Sequence, residues 1–409
     1  MRYHLAVRTR FVWSRWRSCV VMTVALLLAT RPLIADDTPE QARQKAVKKA
    51  QDALLAAAKQ GDVDQVLIQL QAGADVNARD GGQRTALLHA VRGGQLAVVR
   101  ALIEAGAGLD ARDQDGRTAL MEAAKRREAM PALDLVAAGA DVNVTDKDGW
   151  TALIWAAKEG TLAAARAIIR SPGQSSLDAL AKETSALSLA AERGRHALVR
   201  ALIEGGAGVR KPEIGGRALQ LAAQEEHVDV VHTLMESKAP LGFSGWENEP
   251  PLHATAARGQ WLVLEALLEA GLDPDQVDRG GQTALMKAAA SGHEKAVASL
   301  LRLGAAPDLA DREGWTALMH AAAHPSSGSV TVIRDLVRAG AAVDRRAGPD
   351  GQTPLMIAAE KGNALATDEL LRSGAQADLE SGGKSALDFA LAEGNKRCAE
   401  RLGYVEKPR

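Results

Sequence analysis

A short phrase that returns about every 33 residues is the feature that most constrains this chain. It consists of Thr or Ser, then Ala or Pro, then Leu, with a pair of alanines a few residues later. The clearest copies begin at six threonines: Thr85, Thr118, Thr151, Thr283, Thr316 and Thr353. Weaker copies begin at Asp52, Ser185, Arg217, Pro250 and Ser385. A fixed period of this length predicts a stack of small units, each packed only against its neighbours.

Two further features keep the same phase. An Asp-Gly or Glu-Gly pair precedes several starts, as at Asp115-Gly116, Asp148-Gly149, Glu313-Gly314 and Asp350-Gly351. A Gly follows most starts by nine residues: Gly61, Gly94, Gly160, Gly194, Gly259, Gly292, Gly362 and Gly394. The Thr hydroxyl can cap a first helix, the Gly permits the left-handed conformation that ends it, and Asp-Gly supplies a tight turn. Each unit is therefore predicted to be a helix pair with a projecting turn, or finger.

These residues resemble the ankyrin-repeat family, whose hallmark is a 33-residue unit with a Thr-Pro-Leu-His phrase. Pro250–His253 is the closest fragment, and most copies carry Ala where the family prefers Pro. The resemblance covers residues 38–407 and implies an all-α solenoid of about eleven stacked ankyrin repeats, with β-hairpin fingers and capping repeats at both ends. The expected units start near residues 52, 85, 118, 151, 185, 217, 250, 283, 316, 353 and 385.

Both ends of the array have the polar character that terminal repeats need. Thr38–Gln41 is typical of a helix N-cap with Pro at the first helical position and a capping-box Gln, and Asn395–Leu402 is predicted to be a polar last helix. The pattern is interrupted at Ser171–Ser176, at Ile214–Arg217 and around His324–Ser329. A bend or a docked partner loop could explain these places, but we favour drift of tolerated surface loops.

The first 35 residues are predicted to be a secretory signal peptide. Residues 1–17 are basic, and Cys19–Thr30 is an apolar stretch of 12 residues, too short for a stable membrane span. We expect cleavage after Ala35 and a periplasmic or secreted protein. An uncleaved anchor or a start further downstream are the alternatives. No later apolar run approaches 18 residues, so we expect no membrane span unless the leader is uncleaved.

Charge and cysteine content narrow the function classes. The first 35 residues hold six Arg and no acid, so 44 basic and 51 acidic residues remain after them, a formal charge of −7. Binding of a nucleic acid requires a strongly basic surface, so this acidic balance argues against a nucleic-acid partner. Cys398 would be the one cysteine left after processing, so no internal disulfide is expected, and we expect a monomer.

Catalytic and metal sites are not expected. The sequence contains no phosphate-binding Gly loop, no nucleophile elbow and no Cys-x-x-Cys motif. His320 and His324 have the spacing of helical metal ligands, but the three alanines between them supply no third ligand. The resemblance implies that His253 makes local bonds between repeats. We therefore expect a non-enzyme without cofactor or metal.

The resemblance implies that a protein partner docks on the concave face formed by the fingers and the first helices. Trp150 and Trp315 directly precede capping threonines, and Trp246 lies four residues before Pro250. Exposed tryptophans are enriched at binding hot spots, so these three are candidate contacts. Packing of each indole on a neighbouring finger is the alternative, and Trp155 is expected in the core.

A basic group at the same face is the second candidate. Its members lie in two adjacent units: Arg84, Arg92, Arg117, Lys125, Arg126 and Arg127. Like charges this close favour an acidic partner surface. A solvated ion-pair network with Asp115 and Glu122 is the alternative, and we favour it slightly.

The sequence thus predicts a non-catalytic scaffold that holds a partner protein in the periplasm. A secreted effector or a toxin-neutralising immunity protein would use the same surface. An accessory factor that stabilises a periplasmic enzyme is a further alternative.

Overall fold

The computed structural model describes residues 38–126, 129–171, 176–240, 250–326, 328–348 and 351–404. The chain divides into two compact units, residues 1–175 (unit 1) and residues 176–409 (unit 2). The expected signal peptide, residues 1–35, lies outside the described residues. In the part of the chain that is described, no helix has both the length and the apolar character needed to cross a bilayer.

Unit 1 contains four helix pairs within its described residues. First helices pack on first helices of the next pair, and second helices on second helices. The helices are α1 (Pro39–Gln60), α2 (Val63–Gln71), α3 (Ala86–Gly93), α4 (Leu96–Glu104), α5 (Ala119–Ala124), α6 (Met130–Ala137), α7 (Ala152–Glu159) and α8 (Leu162–Ile169).

Unit 2 contains seven helix pairs within its described residues, stacked in the same way. Its first four pairs are α9 (Ala186–Glu192), α10 (His196–Glu204), α11 (Arg217–Gln224), α12 (Val228–Glu236), α13 (Pro251–Arg258), α14 (Trp261–Glu269), α15 (Ala284–Ser291) and α16 (Glu294–Arg302). The remaining elements are α17 (Ala317–Ala323), α18 (Ser329–Arg338), α19 (Pro354–Glu360), α20 (Ala364–Arg372), β1 (Glu380–Ser381), β2 (Lys384–Ser385), α21 (Ala386–Ala392) and α22 (Lys396–Arg401).

The core is built from small and aliphatic side chains. The alanine pairs of the repeated phrase, such as Ala123-Ala124 and Ala156-Ala157, are fully buried, as are Val98, Val99 and Leu102 of α4. Small residues let neighbouring helices approach closely, and the aliphatic stripe of each second helix faces its neighbour. The all-α solenoid of stacked repeats expected from the sequence is confirmed.

The predicted helix caps are also observed, with one exception. Five of the six threonines accept a hydrogen bond from the backbone N–H three residues on, at 3.3–3.4 Å. Thr316 does not, and its buried hydroxyl lacks a hydrogen-bond partner. The eight glycines that follow the starts by nine residues all have positive φ, between 62° and 85°. These residues therefore fix where the first helices begin and end.

The expected β-hairpin fingers are short. Only β1 and β2 pair as strands among the described residues, and four other fingers are closed by a single bridge. In five fingers an aspartate side chain adds to the backbone bond that closes the turn. One carboxylate oxygen accepts from the backbone N–H groups two and four residues on, at 2.7–3.1 Å. The five aspartates are Asp80, Asp113, Asp146, Asp278 and Asp311.

Two sets of side chains tie each repeat to its neighbour. In the first set, an Asn or Asp oxygen accepts from a backbone N–H of the next repeat at 2.6–3.1 Å. Its members are Asn77, Asp110, Asp178, Asp275, Asp308 and Asp344. In the second set, a side chain donates to a backbone carbonyl of the preceding repeat. Its members include Thr161, His227, Gln260, His293, Asn363 and Asn395.

Two places depart from the regular repeat. Helix α1 runs through residue 52, the expected first start, and begins at Pro39 after a capping box between Thr38 and Gln41. Before α11 the finger is replaced by a π-helical turn, Pro212–Gly216, which leads straight into the helix without a capping side chain. The sequence marked both sites, the first by its capping residues and the second by its missing threonine.

Replacing Asp278 with asparagine should lower the free energy of unfolding by about 1 kcal/mol at pH 7. Burial alone would raise the pKa of Asp278, but hydrogen bonds from the Gln282 N–H and the Lys287 ammonium, with the charge of Lys287, hold that pKa below its usual range. A depressed pKa contributes stability above the unfolded-state pKa of about 3.9, which is lost as the pH falls through the folded-state value.

The difference between wild type and Asp278→Asn should therefore be constant above about pH 5 and shrink below about pH 4. Urea unfolding at pH 7 and pH 3 measures it. A difference that grows on acidification would contradict this account.

Candidate partner-binding surface

Basic residues line one surface of unit 1 at a fixed position of the repeat. The seventh residue after each start in this unit is Lys59, Arg92, Lys125 or Lys158, and we call these four the basic row. The equivalent residues of unit 2 include no cation: Glu192, Gln224, Ala257, Ala290, Ala323, Glu360 and Ala392. A cation near the C-terminus of a helix is favourable, but seven repeats do without one. The fold therefore does not require the basic row.

Two tryptophans lie beside the basic row. Trp150, on the finger, and Trp155, on α7, have ring centroids 4.7 Å apart and form what we call the indole pair. Trp155 is only 8 % exposed, as expected, and donates from Nε1 to Asp146 at 3.0 Å. Trp150 is half-buried. The bond to Asp146 fixes the inner ring, and the outer ring rests on it.

Three cations surround the indole pair. The Lys125 ammonium lies 4.8 Å from the Trp155 ring centroid, and the Arg117 guanidinium lies 5.1 Å from it. The Lys158 ammonium lies 4.9 Å from the Trp150 ring and 5.0 Å from the Trp155 ring. Such contacts are favourable and hold the ammonium groups over the rings. The result is a cationic surface that lies over two aromatic rings.

Glu122 lies among these cations. Its side chain is 7 % exposed, and its oxygens lie 3.6 Å from Lys125, 3.8 Å from Arg117 and 4.0 Å from Arg92. Arg117 also lies 3.5 Å from Asp115. The ion pairs that the sequence indicated as an alternative are thus present, although the carboxylates are fewer than the cations at this surface.

Arg84 and Arg126, two other predicted contacts, have different surroundings. Arg126 donates to the backbone carbonyl of Arg92 at 2.7 Å, so it links two repeats. Arg84 is half-buried and its Nε lacks a hydrogen-bond partner. Arg127 and Trp246 lie outside the described residues.

Trp315 belongs to unit 2 and has a different setting. It packs against a buried cluster that includes Met319, Ala347 and Ile357, and its ring lies 5.3 Å from that of His320. This is the neighbouring-finger packing that the sequence left as an alternative. The structure therefore brings together Arg92, Arg117, Lys125 and Trp150 but leaves Trp315 on another unit.

Three residues at this surface were missed as candidates. Lys59 and Lys158 stand at the same repeat position as Arg92 and Lys125, so the 33-residue spacing already pointed to them. Trp155 was expected only in the core, yet three cations lie 4.8–5.1 Å from its ring centroid. Comparison of equivalent positions between repeats would have found all three.

The described residues contain no group of three His, Cys, Asp or Glu side chains that could hold a metal ion. His320 bonds Asp311 at 2.8 Å, and His253 is buried with its Nε2 bonded to the Gln282 carbonyl. Cys398 is buried, and burial raises the pKa of its thiol. These three side chains are therefore engaged in bonds or packing within the fold.

The chain matches the family described as Ankyrin repeats (3 copies) over residues 54–146, 170–242, 252–347 and 322–407. These segments cover most of both units. They include three members of the basic row, Lys59, Arg92 and Lys125, and residues 252–407 of unit 2.

Curated proteins share shorter stretches with this chain. Glycerophosphocholine phosphodiesterase gde1 of Schizosaccharomyces pombe is 33 % identical over 187 residues, 45 % of this chain and 13 % of that protein. Ankyrin repeat domain-containing protein 63 of Mus musculus is 40 % identical over 101 residues, 23 % of this chain and 26 % of that protein. SH3 and multiple ankyrin repeat domains protein 2 of Homo sapiens is 37 % identical over 79 residues, 19 % of this chain and 4 % of that protein. The chain thus spans about a quarter or less of these relatives.

Proposed function

This chain belongs to the ankyrin-repeat family, and from that premise we propose that it is a protein–protein interaction scaffold whose partner docks on the basic row and indole pair of unit 1. We place this partner in the periplasm, because residues 1–35 have the basic and apolar regions of a secretory signal. The proposed scaffold is monomeric and non-catalytic. The similarity to a phosphodiesterase covers 13 % of that protein and transfers no activity to this chain.

One observation carries the choice of surface. In unit 1 the seventh residue after each start is a cation, and two of these cations lie over the indole pair, whereas unit 2 has neutral or acidic residues at that position. Large amphipathic rings and arginines are the residue types enriched at interface hot spots. Four buried polar atoms here also lack hydrogen-bond partners: Arg84 Nε, Asp113 Oδ2, Arg117 Nε and Glu122 Oε1. These charged groups are therefore not closely paired with one another, which is rare for buried polar atoms in folded proteins.

The double variant Lys125→Glu/Lys158→Glu should lose the partner. Reversing two charges at the centre of the surface should weaken binding at least tenfold, because it repels an acidic partner and removes the cations over the indole pair. The tagged full chain is expressed in its host, cross-linked, purified from periplasm and medium separately, and its co-purifying proteins are quantified by mass spectrometry. Lys295→Glu is the matched control, since Lys295 also lies over an indole, Trp261, but in unit 2.

A protein retained by the wild type and by Lys295→Glu, and lost by the double variant, supports the proposal. Equal retention by all three proteins would place the partner elsewhere. If the chain and its partner are recovered from the medium alone, the secreted-effector hypothesis replaces that of a periplasmic scaffold.

A further inference from the structure

Each finger aspartate but one makes a second contact, to a side chain that can donate a hydrogen bond. Their second carboxylate oxygen contacts the side chain nine residues on, at 2.8–3.2 Å in four repeats. The partners are His89, Trp155, Lys287 and His320, all of which can donate a hydrogen bond. The residue nine after Asp113 is Glu122, which as a carboxylate cannot donate. The repeat pattern therefore places two carboxyl groups where every other described pair has an acid and a donor.

The replacement of the donor by a carboxylate leaves atoms of both side chains without hydrogen-bond partners. Asp113 Oδ2 and Glu122 Oε1 are both buried without a hydrogen-bond partner. The cations nearest to Glu122 stay 3.6–4.0 Å away, so they neutralise its charge without forming close hydrogen bonds. A glutamate at this position gives no hydrogen bond to the finger aspartate. Its contacts are ion pairs with Arg92, Arg117 and Lys125.

The cations here outnumber Glu122 and Asp115, the two carboxylates that pair with them. Arg92, Arg117, Lys125 and Lys158 lie within one connected set of contacts around Glu122 and the indole pair. Lys59 extends the row by one repeat. Cations at successive repeats would fit carboxylates spaced along an extended acidic chain, and the indole pair adds an apolar floor beside them.

We propose that this surface binds an acidic polypeptide segment, and that Glu122 is an internal carboxylate that competes with the segment for Arg117 and Lys125. The inference rests on the proposed docking surface and adds the chemistry of the partner. Binding exchanges the loose ion pairs of Glu122 for closer bonds to a carboxylate of the segment. Glu122 thereby lowers the affinity for any single carboxylate and favours segments that engage several cations at once.

Removing the charge of Glu122 should strengthen binding. The probe is a synthetic octaglutamate peptide with a neutral fluorophore, titrated against the full chain by fluorescence anisotropy at low and high salt. Glu122→Gln should bind it about threefold to tenfold more tightly than wild type, because the competing carboxylate is gone. Lys125→Glu/Lys158→Glu should bind at least tenfold more weakly, Lys295→Glu should match wild type, and added salt should weaken wild-type binding.

A second variant keeps the test valid if Glu122→Gln does not fold. Glu122→His restores at this finger the acid–histidine pair seen at Asp80–His89 and Asp311–His320. It should therefore fold at least as well as wild type, checked by circular dichroism, and also bind the peptide more tightly. If both folded variants bind octaglutamate no better than wild type, Glu122 is not a competitor.

The outcomes separate the two proposals. Unchanged peptide affinity in both Glu122 variants, with the natural partner still lost from Lys125→Glu/Lys158→Glu, would overturn the role of Glu122 and leave the docking surface standing. Octaglutamate binding that survives the double variant would overturn both. Tighter binding of a single-stranded oligonucleotide than of octaglutamate would make this a nucleic-acid surface and overturn the acidic-polypeptide proposal.

Discussion

Replacing Gly215 with alanine should lower the free energy of unfolding by at least about 3 kcal/mol. Gly215 lies in the π-helical turn that replaces a finger before α11, and a Cβ there would overlap the backbone carbonyl of Val209. The overlap is with main-chain atoms, so no side-chain rotation can relieve it. The turn and the entry to α11 would both have to shift.

Urea unfolding followed by far-ultraviolet circular dichroism measures this loss. The matched control is Gly81→Ala in a finger of unit 1, where a Cβ would meet nothing within 4 Å and φ is not left-handed. That variant should stay within about 0.5 kcal/mol of wild type. If Gly215→Ala unfolds at the same urea concentration as Gly81→Ala, the close passage of Val209 over Gly215 is not a feature of the folded protein.

Replacing Asp311 with alanine should cost about 3 kcal/mol. Its side chain is 2 % exposed and accepts from two backbone N–H groups, of Glu313 at 3.1 Å and Trp315 at 2.8 Å, besides bonding His320 at 2.8 Å. Alanine would leave three polar groups without their acceptor in a buried place. The finger would loosen, and Trp315 would lose the backbone bond that positions its ring.

Asp311→Asn should recover part of this loss, because its carbonyl oxygen can still accept from the two N–H groups. Asp273→Ala is the matched control: Asp273 is exposed, and its carboxylate accepts a single backbone N–H, of Asp275, at 3.0 Å. Its loss should stay below about 1 kcal/mol. Urea midpoints for the three variants test the order. An equal loss in Asp273→Ala and Asp311→Ala would show that burial of the carboxylate adds nothing.

Much of the fold could be predicted from local sequence because its determinants act over a few residues. Thr85 caps its helix by bonding a group three residues away, and Gly94 ends the same helix by its own conformation. Such effects repeat with the sequence and need no knowledge of distant contacts. The capping box at Thr38 and the polar last helix followed from the same reasoning.

The features that were missed depend on which side chains stand at neighbouring positions. Five of the described fingers close through an aspartate side chain as well as a backbone bond, so they need little strand pairing, and the sequence did not reveal this role of the aspartate. Trp150 and Trp315 occupy the same repeat position, yet one stacks on Trp155 and the other packs on a buried cluster. Residue 155 is a tryptophan where residue 320 is a histidine, so the ring beside each tryptophan differs. Position within the repeat therefore indicated where side chains lie but not what they contact.

The hydrogen bonds between neighbouring repeats have an evolutionary consequence. Asn77, Asp275 and Asn363 each bond a main-chain group of the adjoining repeat, and every residue except proline offers the same N–H and C=O. A duplicated, deleted or transplanted repeat consequently meets a neighbour that it can already bond, with no matched side chain to acquire. Recombination can therefore lengthen or shorten this array in whole repeats, while the residues of the basic row diversify independently.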